Sequence, residues 1–121
     1  MSERWAILEP VEVRCRIHIS SSKPQFAHFD ARLEPSNGHD GIRIATDCTN
    51  AMDNKWLPSI ERGVEQFVME RSAENRPVCN TTLVMLKVIA HPIVTDEITL
   101  SRNVKTTLRT YFDHHESMII G

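Results

Sequence analysis

Leu57-Pro58-Ser59-Ile60-Glu61-Arg62-Gly63-Val64-Glu65 decides how this chain of 121 residues is read. The stretch opens a helix. Pro58 falls in the first turn, where its missing N–H is not needed. Leu57, Ile60, Val64, Phe67 and Val68 fall on one stripe. Gly63 sits in the second turn, at a cost of about 1 kcal/mol against Ala. A helix that carries such a Gly predicts close approach of a neighbouring backbone at that point. The helix runs out in the polar stretch Arg71-Ser72-Ala73-Glu74-Asn75-Arg76 before Pro77.

Upstream, the alternation is that of strands. Val11, Val13, Cys15, Ile17 and Ile19 share one face; Glu12, Arg14, Arg16, His18 and Ser20 share the other. Ser20 to Pro24 reads as a turn. Alternation resumes with Ala27, Phe29, Ala31 and Leu33 inward and Phe26, His28, Asp30 and Arg32 outward. These two runs predict an antiparallel hairpin with its tip near Lys23, which would set His18 against His28. Pro35-Ser36-Asn37-Gly38 predicts a turn. Gly41 to Cys48 predicts a short strand with Ile42 and Ile44 inward, and the polar run Asn50 to Lys55 predicts a loop.

Downstream, Val78 to Ile89 is rich in β-branched and apolar residues and predicts a strand that His91-Pro92 closes. Asp96 or Thr95 can cap a second helix carrying Ile98, Leu100, Val104, Leu108 and Phe112. A short tail with an apolar end, Met118-Ile119-Ile120, follows. The order is βββαβα. It predicts an α+β fold, a two-layer α/β sandwich with two helices on one face of a four-stranded sheet. Residues 1–121 are expected to form one domain, its core at about 10–113 between short tails.

Apolar residues make up 40% and charged residues 25%, with a net charge of −2. That lacks the basic excess of a free-standing nucleic-acid binder, so any RNA contact must come from a local patch. Cys15, Cys48 and Cys79 are three widely spaced thiols. They suit a reducing compartment and buried inert positions. The first residues, Met1 to Trp5, hold no signal-peptide core, and Leu83–Ala90 is too short to span a membrane. A cytoplasmic protein without membrane contact is expected.

Several segments resemble the fourth domain of translation elongation factor G. Leu57–Gly63 is similar to the family's "IPAVEKG" helix start, with Trp56 where the family often has Tyr. Pro77-Val78 resembles the "YPV" that opens the next strand. His91-Pro92-Ile93-Val94-Thr95-Asp96-Glu97 resembles "HDVDSSE", which places His91 at the family's tip histidine. Ile19 to His28 lies where the family reads "QSGGRGQYGH". Gln25, the aromatic Phe26 and His28 match, and Lys23 stands for the Arg, but every glycine is gone. The likeness covers roughly residues 12–112 and its segments keep the family order.

The resemblance implies a ribosomal protein S5 domain 2-like fold with a left-handed βαβ crossover, an exception to the usual right-handed rule. It implies a rigid wedge whose tip loops enter the decoding site of the small ribosomal subunit. The chain contains no GxxxxGK[ST] phosphate loop, so nucleotide binding and catalysis by the family's route are not expected. A stand-alone, non-catalytic module without cofactor follows; whether a partner supplies a GTPase part in trans is not decided by these residues.

On this reading, Ser21, Ser22, Lys23 and Gln25 in the first tip loop and His91 in the second are the candidate RNA- or ribosome-binding residues. A cation, hydroxyls and an imidazole suit phosphate and base-edge contacts. Three Ser and a Pro make this loop stiffer and bulkier than the family's glycines would.

The outer hairpin face, with Arg14, Arg16, His18, Phe26 and His28, is compatible with base stacking. It is equally compatible with a partner protein or a second copy, because Glu12, Asp30 and Glu34 interleave with the cations. A module that kept the fold and exchanged ribosome contact for protein contact is therefore the alternative. His18 and His28 without a Cys or carboxylate at suitable spacing make an incomplete metal site, and no metal is expected.

Overall fold

The computed structural model describes residues 3–19, 25–46, 55–90 and 96–120. Val11–Cys15 (β2) pairs antiparallel with the long strand Gln25–Asp40 (β4), and His18–Ile19 (β3) continues the same pairing nearer the turn. β4 pairs antiparallel with Cys79–Ala90 (β6), and β6 pairs parallel with Ile42–Thr46 (β5). The sheet order is β2-β4-β6-β5. Helix α1, Leu57–Ala73, connects the two parallel strands, and α2, Glu97–His115, follows β6. This is the expected two-layer α+β arrangement with a mixed four-stranded sheet.

The predicted inward residues form the core. Val13, Cys15, Ala27, Phe29, Ala31 and Leu33 from the hairpin pack with Leu83, Met85 and Val88 of β6. Ile60, Val64 and Phe67 of α1 and Leu100, Val104, Leu108 and Phe112 of α2 cover the same face. Asp96 caps α2 by accepting the Thr99 N–H at 2.6 Å.

Gly63 does what its cost predicted. A Cβ there would lie 2.5 Å from the Ser101 carbonyl oxygen and 2.8 Å from Val104 Cβ. The helices therefore touch backbone to backbone, and Ser101 Oγ donates to the Ser59 carbonyl at 2.8 Å across the same contact. Only Gly allows this approach.

Four expectations are corrected. Pro35-Ser36-Asn37-Gly38 does not end the strand. Pro35 pairs Thr81 and Asp40 pairs Cys79, so the intervening residues bulge out of a continuing ladder, with Gly38 at φ 79°. Ile98 is 73% exposed; it lies about a third of a turn of the helical wheel from the centre of the Leu100, Val104, Leu108 stripe. His18 pairs Phe26 rather than His28, because the register turns one residue earlier than Lys23 would centre it.

The fourth correction concerns Arg71, which the ends of the described chain help to bury. Glu3–Ile7 (β1) and Glu116–Ile120 (β7) form an antiparallel pair, with Ala6 and Ile7 buried. Arg71, expected in a polar run, is 1% exposed. Its guanidinium meets Glu116 and, at 3.3 Å, Asp113, and lies over the Phe67 and Phe112 rings. The end of α1 explains the geometry. Asn75 takes φ 61°, and Arg76 N–H bonds the Arg71 carbonyl while Asn75 N–H bonds that of Ser72. This Schellman closure folds the chain back. Arg76 thereby reaches Glu116 and stacks over Trp5 at 5.3 Å.

Candidate functional site

Ser21, Ser22, Lys23 and His91 lie outside the described residues. Gln25 is described as the first residue of β4, by its backbone alone. The strands that lead to these residues are well placed. The hairpin leaves the sheet after Ile19 and re-enters it at Gln25, while β6 leaves after Ala90. Ala27 pairs directly with Ala90. Both connections therefore depart from the same end of the sheet, from neighbouring strands.

That end is fixed from below by a residue the sequence reading passed over. Asn103 of α2 is 2% exposed, and its Nδ2 donates to the Ala27 carbonyl at 2.9 Å. The Cys15 thiol points at the same oxygen, 3.7 Å away. A buried side-chain amide on this oxygen holds β4 against α2 where the strand approaches the tip. The signal was available: Asn103 is polar yet adjoins Val104 on the apolar stripe, where a buried amide demands a partner.

The outer hairpin face is largely neutralised. Arg16 Nη2 meets Asp30 Oδ1 at 2.6 Å, and its Nη1 donates to the Cys15 and Phe29 carbonyls. Arg32 Nε meets Glu34 Oε1 at 2.5 Å. Arg14 is exposed, and its backbone N–H donates to the Tyr111 hydroxyl at 3.3 Å. His28 is half-buried. His18 and Phe26 are placed by their backbone pairing alone. With two of its three hairpin guanidiniums, Arg16 and Arg32, already on carboxylates, this face offers little net charge to a phosphate chain.

Cys15 and Cys79 are buried free thiols. Burial pushes the Cys79 thiol above its ordinary range, with Arg4 opposing and Asp40 reinforcing the shift, so it stays protonated and poorly nucleophilic. No helix among the described residues is long and apolar enough to cross a membrane.

No family model matches this chain. Among curated proteins, it is 28% identical over 79 residues to Elongation factor G 1 of Syntrophomonas wolfei subsp. wolfei. The match spans 65% of this chain and 11% of that factor, so the chain corresponds to about a tenth of the factor's length. A crystal structure of a Thermus thermophilus protein superposes with a TM-score of 0.78 at 14% identity, over 96% of this chain and 18% of that one. The sequence likeness supports a translation-factor-related, elongation-factor-G-like module, and the fold is consistent with it. Within that factor, the fold is consistent with the fourth domain, which this chain resembles.

Proposed function

We propose that this module binds the ribosome or structured RNA, in a translation-related role in the cytoplasm, through the two connections at one end of its sheet. It does so without catalysing a reaction. The observation that carries the reading is the Ala27–Ala90 pairing, which sets the described strand ends flanking Ser21, Ser22 and Lys23 and the one preceding His91 at the same end of the sheet. Gln25 begins the strand beside them. Lys23 would answer a phosphate, the serine hydroxyls and Gln25 would donate to phosphate or base edges, and His91 would supply an imidazole. The neutralised outer face favours the tip over the sheet as the RNA contact.

Co-sedimentation with small ribosomal subunits across a salt series tests this. Wild type is expected to pellet at low salt and to be released as salt rises. Lys23→Ala/His91→Ala is expected to stay in the supernatant. Equal pelleting of both proteins, or of neither, overturns the assignment.

A further inference from the structure

The two edges of the sheet are finished differently. At the β2 edge, Tyr111 of α2 reaches over the strand and its hydroxyl accepts the Arg14 N–H. At the other edge lies β5, with no strand beyond it among the described residues. Beside it runs a groove of about 260 Å³ between β5 and α1. Its apolar surface includes Ile42, Ile44 and Val68, all half-buried, and Met69, which is 64% exposed. Glu61 and Glu65, both exposed, stand along the helix side. Neither forms an ion pair among the described residues. Asp40, at one end of the groove, is already met by Arg4 at 3.5 Å.

We infer that β5 accepts an extended segment of a partner protein as an added strand. The segment's helix-facing residues are apolar at the centre and carry Lys or Arg on the flanks. Three observations specify it. An open edge presents unpaired N–H and C=O groups that a new strand can satisfy. Side chains of an added strand alternate faces, so every second one enters the groove against Ile42, Ile44, Val68 and Met69. Two unpaired carboxylates above that apolar strip select cations with long stems. A second copy of this chain fits poorly. Two β5 edges meeting about a two-fold axis would bring each pair of glutamates towards its equivalent, and like charges repel. The surface is separate from the tip and stands whether or not the tip binds RNA.

The test is an amide NMR titration with the peptide Thr-Lys-Thr-Val-Thr-Ile-Thr-Lys-Thr, blocked at both ends. Shifts are expected in residues 42–46 and 61–69, with the remaining amides unmoved. Exchanging the peptide's two Lys for Glu, or its central Thr for Pro, is expected to weaken binding by about tenfold or more. So is the exposed charge swap Glu61→Lys/Glu65→Lys in the protein, whose otherwise unchanged spectrum shows that it still folds. Three outcomes overturn the inference: no shifts at millimolar peptide, equal binding of the Glu peptide, or shifts mapping elsewhere. Concentration-dependent shifts of residues 42–46 without peptide would replace the partner segment with a second copy.

Discussion

The two ends of the sheet are built on opposite principles. At the end where β6 begins, the chain concentrates its strongest interactions. β1 and β7 pair over five residues each, Trp5 bridges to Val78, and Glu116 sits between the Arg71 and Arg76 guanidiniums. At the end where β6 finishes, the buried Asn103 amide, with the Cys15 thiol on the same carbonyl, holds the first stretch of β4. If the proposed function holds, this second end, the tip, makes the contact, the first end is its base, and stability and contact are separated along the sheet. Substitutions at the base should therefore change folding without changing binding, and substitutions at the tip should do the reverse.

Glu116→Ala should have the largest effect. It leaves the fully buried Arg71 with the half-exposed Asp113, at 3.3 Å, as its remaining carboxylate among the described residues, and removing one partner from a buried pair costs about 3–5 kcal/mol. Denaturant unfolding reads this directly. A loss under about 1 kcal/mol would mean that the base is not held by this cluster.

Gly63→Ala comes next. At a free helical site Ala would gain about 1 kcal/mol. Here the new methyl meets a backbone oxygen that has no rotamer to change, so a net loss of about 1–3 kcal/mol is expected. A stabilised protein would show that the helices do not approach as described.

Asn103→Ala should cost about 1–2 kcal/mol through the lost hydrogen bond to Ala27. Hydrogen exchange should quicken at the tip end of β4 more than at β1 and β7. Uniform quickening throughout the molecule would contradict a local role for this amide.

The smallest effect is a matter of pH. A hydrogen bond from Arg109, at 3.0 Å, holds the Glu74 carboxyl below its ordinary 4.5, and the charges of Arg109, Arg71 and Arg76 add to it. Because the folded pKa lies below the unfolded one, this contribution is present above about pH 4.5. It is lost as the pH falls through the lowered folded value. Glu74→Gln should remove this contribution, lowering stability slightly at pH 7 and flattening its dependence on pH in that acid window; an unaltered acid limb would remove Glu74 from the interaction.

The same division explains which parts could be read from the residues alone. The hairpin and its inward face follow from a period of two, and the Asp96 cap and the Gly63 approach follow from single residues whose cost or hydrogen-bonding habit demands a local cause. The base escaped because it is assembled from distant pieces. Glu116 is 45 positions from Arg71, and nothing in the periodicity of either segment names the other. One local sign existed: Arg71 continues the Ile60, Val64, Phe67 stripe, so a charge had to enter the core and find a partner there. Pro35–Gly38 carries turn chemistry, which a bulge uses as readily as a chain reversal. The strand register fixes only the described strand ends around the proposed tip, and its contacts depend on a surface outside this chain.

The most direct measurement sets the two ends against each other in one experiment. Small-subunit binding, normalised to folded protein, is measured for wild type, Glu116→Gln and Lys23→Ala/His91→Ala, with melting temperatures recorded alongside. A wedge with a separate base predicts a lowered melting temperature with unchanged binding for Glu116→Gln. It predicts an unchanged melting temperature with binding reduced by about tenfold or more for the tip variant. Binding that follows stability in both variants, or survives intact in the tip variant, would contradict it.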